Sequence, residues 1–507
     1  MQERNLNMKE NKSAIIIGSG IAGLAAATRL AIAGFSVKVY ERNEVPGGKI
    51  AVFEKEGYRF DAGPSLLTQP QNIEALFADA GEAIEDYFIY KDVDIACRYF
   101  FENGKSVKAY TNMEAFAQEL EQQVGEDRHL VKDYLQGSKK IYDNIGSIFL
   151  NYSLHKRSTW LHKRIFTAFK TVKLPYLFQS LNAYNTKHFK TTEATQIFNR
   201  FATYNGSNPY KAPAMLSLIP HLEMNEGTYY PQGGMISITN ALYQLALKKG
   251  VQFHFDSPVQ RIINSEGKVQ GVVVKDKNLY ANVVVSNADV YFTYKNLLNF
   301  AGKARKVLKQ ERSSSAVIFY WGIGKAFSGL GLHNIFFSKQ YHEEFRHIFD
   351  IKELYNDPTV YINITSKEEA GHAPAGKENW FVMINVPANT GQDWDTQVAA
   401  ARTNIIQKLN RMLATDVESL IETETVLDPL LIEQNTGSYQ GSLYGTSSNS
   451  KMAAFFRSPN FSGDLENLYC CGGSVHPGGG IPLCLRSAKI TTDIIAEDFK
   501  KQRSYSH

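Results

Sequence analysis

Between Ser13 and Lys49 the chain reads SAIIIGSGIAGLAAATRLAIAGFSVKVYERNEVPGGK, and no other stretch restricts the fold as tightly. An apolar, β-branched run, Ala14 to Ile17, ends in Gly18-x-Gly20-x-x-Gly23. An Ala/Leu-rich helix follows, and a second strand, Phe35 to Tyr40, terminates in Glu41. The three glycines differ in what they do. Gly18 permits the tight turn, Gly20 lets backbone approach a pyrophosphate, and Gly23 lets helix and strand pack closely. The pyrophosphate then sits on the helix N-terminus at Ile21 and Ala22, where free N–H groups and the positive dipole end favour an anion. Glu41 follows at roughly the 20-residue spacing of an acid that binds ribose hydroxyls. The unit implies an ADP-bearing cofactor, with NAD and FAD both open at this point.

The same window is nearly long and apolar enough to pass for a membrane-spanning helix of about 20 residues. Three turn glycines and Arg29 argue against that. The N-terminus, MQERNLNMKENKS, has mixed charge and no apolar core, and reads as a frayed tail, not a secretory signal. Four cysteines (Cys97, Cys470, Cys471, Cys484) make neither a disulfide framework nor a zinc-like spacing, so a reducing, cytoplasmic setting and no metal site are expected. The pair Cys470-Cys471 admits a redox or covalent flavin site; two small buried hydrophobes on an apolar strand is the plainer reading. With 507 residues, 43% hydrophobic and 21% charged, the chain is globular and long enough for two or more cores.

The net charge of +4 conceals an uneven distribution. From Asn144 to Thr192 there is no acid, but there are eight bases: Lys156, Arg157, Lys163, Arg164, Lys170, Lys173, Lys187 and Lys190. Apolar residues are interleaved, with Trp160/Leu161, Ile165 and Phe169 at helical spacing and Phe166 beside them. Such a segment can lie in a membrane interface, with Lys156, Arg157, Lys163 and Arg164 facing anionic headgroups and Trp160, Phe166 and Phe169 sunk among acyl chains. An ordinary amphipathic helix with a solvated face fits equally. No nucleic-acid motif accompanies the charge, so nucleic acid is not an expected partner.

Past Glu41 come Arg42 and a second glycine pair, Gly47-Gly48-Lys49, then a short strand, Tyr58 to Phe60, leading into Asp61-Ala62-Gly63-Pro64-Ser65. An NAD site does not need these extra turns; an FAD laid out at full length does. Together these motifs resemble the flavin-containing amine oxidase and carotenoid desaturase superfamily. The C-terminal Asn467-Leu-Tyr-Cys-Cys-Gly-Gly-Ser-Val-His-Pro-Gly-Gly-Gly-Ile481, followed by Ser487, resembles the signature of bacterial-type phytoene desaturases, with Val475 where Thr or Ala is usual. It reads as a strand (Leu468 to Cys471), a glycine turn, and a helix from near Gly480 to about Phe499. That second helix N-terminus is aimed at the pyrimidine end of the flavin, where reduction deposits negative charge. Phe201 to Pro213, Gly227 to Met235 and Ser286 to Asp289 resemble the family's internal landmarks, and an alternating run from Gly250 to Val285 predicts a small meander.

The resemblance spans nearly the whole chain and implies an α/β, two-domain, Rossmann-type flavoprotein with a glutathione reductase-like FAD domain. Segments 1–94, 226–291 and 461–507 form that discontinuous domain; 95–225 and 292–460 build an α+β substrate domain facing the membrane. The cofactor-binding residues it implies are Gly18, Gly20, Ile21, Ala22, Gly23, Glu41, Arg42, Gly47, Gly48, Lys49, Pro64, Ser65, Val259 (at the adenine), Gly473, Gly479, Gly480 and Ile481. The expected substrate is a C40 polyene resident in the bilayer, and the expected place is the inner face of the cell membrane. An allylic hydride passes to flavin N5, a proton leaves the neighbouring carbon, and oxygen or a quinone is the final acceptor. The delocalised cation makes that proton acidic, so a weak base or water suffices. Candidate side chains are His221 and Glu223 in LIPHLEMNEG and His333 in GLHNIFF; His476 is read as a packing or orienting residue.

The segments FDAGPSLLTQP, CRYFFENG and ATYNGSNPYKAPA are most similar to enzymes acting on hydroxylated acyclic ends, the 1-hydroxycarotenoid 3,4-desaturases. Phytoene desaturases and carotenoid isomerases or oxidases share most of these motifs and stay open as alternatives. So does a non-catalytic prenyl-binding escort, although intact glycine turns at both ends argue against it.

Overall fold

The computed structural model describes residues 12–161, 176, 178–307, 309–450 and 457–505. Among these, five parallel strands form one sheet in the order Leu468–Cys470, Val283–Ser286, Ser13–Ile17, Ser36–Tyr40, Gln252–His254. A strand buried on both faces reads as a continuous apolar run, which is why Ala14 to Ile17 carries no polar residue. Ile16, Val37 and Val39 point to one side. There they meet Leu24 and Leu30 of the helix Ile21–Ile32, Leu242 of the helix Ile236–Lys248, and Leu485 and Ile495 of the closing helix Ile481–Tyr505. Ile15, Ile17 and Val284 point to the other side, onto an antiparallel meander, Val259–Ser265, Lys268–Val274 and Lys277–Tyr280. Gly23 is required by the packing: a methyl group built on it would lie 2.1 Å from the Gly18 carbonyl oxygen. The closing helix continues past Phe499, whose ring meets Phe35 edge-on at 5.1 Å.

The second sheet, seven strands among the described residues, runs Ile421–Leu427, Ser315–Ile323, Glu378–Val386, Val360–Asn363, His333–Phe336, Ile95–Phe100, Ser106–Tyr110. It is antiparallel except where Ile95–Phe100 lies parallel to His333–Phe336. Alternation sorts its two faces. Trp380, Val382 and Ile384 pack on Ala401, Ile405 and Leu409 of the helix Trp394–Leu413. Phe381 and Met383, on the opposite face, look into a cavity of about 1030 Å³. The strands of the parallel sheet all fall within 1–94, 226–291 and 461–507, and those of the larger sheet within 95–225 and 292–460. The hairpin strand Tyr58–Ala62 is one tie between them, its Tyr58 and Phe60 packing on Ile318, Tyr320 and Phe381.

Candidate active site

Three neighbouring parallel strands deliver their carboxyl ends to one edge: Ile17 is in register with Ser286, and Ser286 with Cys470. The residues that follow, Gly18, Asn287 and Cys471-Gly472, therefore meet where open α/β sheets bind ligands. Asn287 is the joint. A methyl group on Gly20 would lie 2.9 Å from its Nδ2, and one on Gly472 2.7 Å from its Oδ1. Both glycine turns are thus held against one amide side chain.

Each turn opens a helix. The helix Ile21–Ile32 has no side-chain cap, so the N–H groups of its first turn are left for a ligand, and Gly20, Ile21 and Ala22 all face the cavity. Glu41 is buried at the end of the second strand. Its Oε2 accepts from Ser19 N (2.7 Å) and Ser19 Oγ (2.8 Å), and its Oε1 from Asn43 N (3.0 Å), which fixes the carboxylate beside the cavity. Arg42 donates from Nη2 to the Gln434 carbonyl at 2.8 Å. Gly480, at φ +110°, has nothing within 4 Å of where a Cβ would stand, so a side chain there would project into the cavity. Gly63 brings the next loop onto the second glycine pair, its Cβ position being 1.9 Å from the Lys49 carbonyl oxygen. All the cofactor-binding residues named from the sequence line this one cavity except Gly23, which lies behind the turn.

Two cations stand there: Lys49, expected from the sequence as a cofactor contact, and Arg457, which had no sequence signal. Lys49 Nζ donates to the carbonyls of Leu443 (2.7 Å) and Ser442 (3.3 Å), and burial lowers its pKa to about 8, against the opposing pull of Asp289. Arg457 is buried; Nη1 donates to the carbonyls of Tyr444 (2.7 Å) and Gly473 (3.3 Å), while Nη2 has no partner among the described residues. Burial, then Arg312, lower its pKa to about 10. An unpaired buried donor is costly unless a ligand takes it. A free helix N-terminus at one end of the cavity and an unsatisfied guanidinium beside the second glycine turn at the other suit a dinucleotide whose far end gains negative charge. The residues fit FAD.

Beyond this cradle the wall is largely apolar, with Phe149, Leu216, Ile219, Ile335 and Phe345 among its members. Polar groups interrupt it, among them a charged cluster. Arg200 donates from Nη2 to both oxygens of Glu223 (2.8 and 3.1 Å), Tyr204 donates to the same carboxylate, and the Arg200 guanidinium lies over the Phe201 ring at 4.5 Å. On the sheet face, Tyr361 Oη lies 2.7 Å from both Ser65 Oγ and His333 Nδ1. Burial first, and the charge of Arg200 second, lower the His333 pKa to about 3.

The three catalytic candidates are thus placed differently. Glu223 and His333 line the cavity; His221 does not. His221 is buried behind the wall, its Nδ1 2.9 Å from Asn225 Nδ2 and its Nε2 3.5 Å from Glu226. His476 is also outside the wall: Nε2 lies 3.0 Å from the Tyr152 carbonyl oxygen and its ring meets Phe149 edge-on at 4.9 Å. Cys470 and Cys471 are free and buried, with burial raising both thiol pKa values.

Of the basic window, Lys163, Arg164, Phe166 and Phe169, with Ile165, Lys170 and Lys173, lie outside the described residues. Lys156 is engaged within the fold, 3.0 Å from Asp498 and over the Phe461 ring. Arg157 and Leu161 are exposed, Leu161 at 81%, and Trp160 is 41% exposed. No helix among the described residues is long and apolar enough to cross a membrane.

Residues 21–308 match the family model described as flavin containing amine oxidoreductase. The chain is 51% identical over 488 residues to a 1-hydroxycarotenoid 3,4-desaturase of Flavobacterium sp. (strain P99-3), covering 96% of this chain and 99% of that protein. It is 32% identical to a 4,4'-diapolycopene oxygenase of Methylomonas sp, over 98% of this chain and all of that one. Among solved structures, an oxidoreductase from Methanosarcina mazei superposes with a TM-score of 0.63 at 14% identity, over 96% and 100% of the two chains; at that identity the likeness speaks for the fold alone.

Proposed function

Because this chain belongs to the flavin-containing amine oxidoreductase family, as one of its FAD-dependent carotenoid desaturases, we propose that it introduces the 3,4 double bond into an acyclic 1-hydroxycarotenoid. The observation that carries this reading is the 51% identity along nearly the full length of both chains, joined to a cavity that runs from the nucleotide cradle into a largely apolar chamber.

Bound FAD supplies the acceptor for the allylic hydride. The protein's part is binding and placement. A polyene offers almost nothing to grip by hydrogen bonds, so Phe149, Leu216, Ile219, Ile335 and Phe345 hold it by burial and exclude water. A cation spreading along the polyene needs a wall without a lone positive charge, and Arg200 is neutralised by Glu223. Glu223 is also the candidate that remains for the departing proton. His221 is off the wall, and the His333 nitrogen left open carries hydrogen rather than a lone pair, because Nδ1 accepts from Asn363 Nδ2 (3.2 Å), itself a donor to the Leu332 carbonyl.

The substrate lives in the bilayer, and we place the working enzyme on the inner face of the cell membrane, reached through the exposed Trp160–Leu161 corner and Arg157. Oxygen or a membrane quinone reoxidises it. Incubation of the FAD-loaded enzyme with phytoene, lycopene and a 1-hydroxylated acyclic carotenoid in liposomes tests the reading. The hydroxylated substrate should shift to the red; a product from phytoene alone defeats the assignment.

A further inference from the structure

We propose that His333 recognises the substrate's tertiary hydroxyl, its Nε2–H donating to that oxygen and so setting the reacting carbons against the flavin. The inference rests on the 1-hydroxycarotenoid reading above and names the contact that would give it specificity.

Among the described residues, four on the cavity wall carry a buried polar atom without a partner: Gln69, Arg200, His333 and Arg457. Arg457 belongs to the second glycine turn. Gln69 leaves open an acceptor, Oε1, while its amide nitrogen is taken by Tyr142 and Glu226. Arg200 is already spoken for by Glu223. His333 differs from these, since its whole environment is arranged to leave one donor open. Asn363 and Tyr361 occupy Nδ1, the residue is 3% exposed, and Nε2 is buried without a hydrogen-bond partner among the described residues. A buried N–H of that kind disfavours any occupant that cannot accept a hydrogen bond.

Position and charge both suit the role. One methylene separates the carbinol carbon from the nearer carbon of a 3,4 bond, so an anchor for the hydroxyl has to stand close to the flavin. Tyr361 links His333 to Ser65 through two contacts of 2.7 Å, and Ser65 belongs to the loop that Gly63 presses onto the Lys49 backbone. The imidazole also stays neutral at working pH. A neutral donor holds an alcohol without setting a positive charge two carbons from a forming cation.

The test uses FAD-loaded protein in liposomes with a 1-hydroxylated acyclic carotenoid and its deoxy counterpart, the same polyene with a saturated 1,2-dihydro end and no hydroxyl. Binding is read from the carotenoid visible band with the flavin reduced beforehand, so that no turnover follows, and kcat/KM is read separately. The parent should prefer the hydroxylated substrate. His333→Leu should lower that preference about tenfold or more, in Kd and in kcat/KM, with the loss confined to the hydroxylated substrate. His333→Gln, whose amide can donate from a similar place, should recover part of it. Tyr361→Phe, which frees the imidazole to turn, should fall between, and it carries the test if His333→Leu does not retain FAD. A parent that discriminates beside variants that discriminate equally well overturns the role of His333 and leaves the desaturase reading standing. A parent without preference overturns both.

Discussion

Beyond the nucleotide cradle, where Glu41 is buried, the described part of the cavity wall holds two more buried carboxylates, Glu344 and Glu223, and each makes a measurable demand. Glu344 accepts from Thr359 N (2.9 Å) and Thr359 Oγ1 (2.6 Å), yet burial raises its pKa to about 7, against the pull of Lys408 and with the push of Asp357. Its folded pKa lies above the unfolded value, so the folded state binds the extra proton between them. Stability from this group is full below the unfolded carboxylate range and is lost as pH rises through about 7. Glu344→Gln keeps the shape and cannot titrate. Its unfolding temperature relative to the parent should therefore improve from pH 5 to pH 8, by about 3 °C for a chain of this size; equal offsets at both pH values would refute the assignment. Glu223 makes the opposite demand. Glu223→Gln leaves Arg200 buried without its counter-charge, at a cost of about 3 kcal/mol in unfolding, and should lower kcat about a hundredfold with FAD retained if the carboxylate takes the proton. Turnover within a few-fold of the parent would leave that proton to water. Sequence alone pointed to Glu223 and His333 but could not separate them from His221, since all three sit in similar apolar strings and only burial geometry tells which one the cavity reaches.

At the scale of elements, the two glycine turns look alike in sequence and differ in what their glycines do. Gly23 gives way to packing, with the Gly18 carbonyl 2.1 Å from its missing Cβ, whereas Gly480 gives way to a ligand, with open space where its Cβ would stand. Gly23→Ala should thus destabilise the FAD-free protein in thermal unfolding, by several kcal/mol of overpacking. Gly480→Ala, strained only at one φ, should cost about 1 kcal/mol of fold but weaken FAD binding more than tenfold in a titration of the stripped protein. The converse pattern would exchange the two assignments. The strand, turn, helix and strand units were legible because each is written within some 30 consecutive residues, and the meander because its alternation is local. The larger sheet was not, because its order joins Ile95–Phe100 to His333–Phe336 across more than 200 residues of sequence. Arg457 was invisible for the same reason, since it matters through the carbonyls of Tyr444 and Gly473; Asn287 fell within the Ser286 to Asp289 landmark, but its part in joining Gly20 to Gly472 rests on contacts far apart in sequence.

For the whole molecule, the proposed reading asks how a fold with no spanning helix among its described residues would reach a substrate dissolved in lipid. Lys156 is committed to Asp498 on the closing helix, so reversing its charge would disturb the fold and confound any membrane assay. Arg157→Glu combined with Leu161→Asp changes only exposed positions. That pair should abolish most flotation with anionic liposomes while the flavin spectrum is kept; undiminished flotation would put the contact elsewhere. A last consequence follows from the joint at Asn287. The cradle's walls come from residues 18–49, 287 and 472–481, and each wall is shaped by the others. During synthesis the first strand and helix emerge hundreds of residues before the edge strand and closing turn that complete their sheet. A nascent chain cannot hold its nucleotide early, and capture of the yellow cofactor becomes a signal that translation has run past the closing turn.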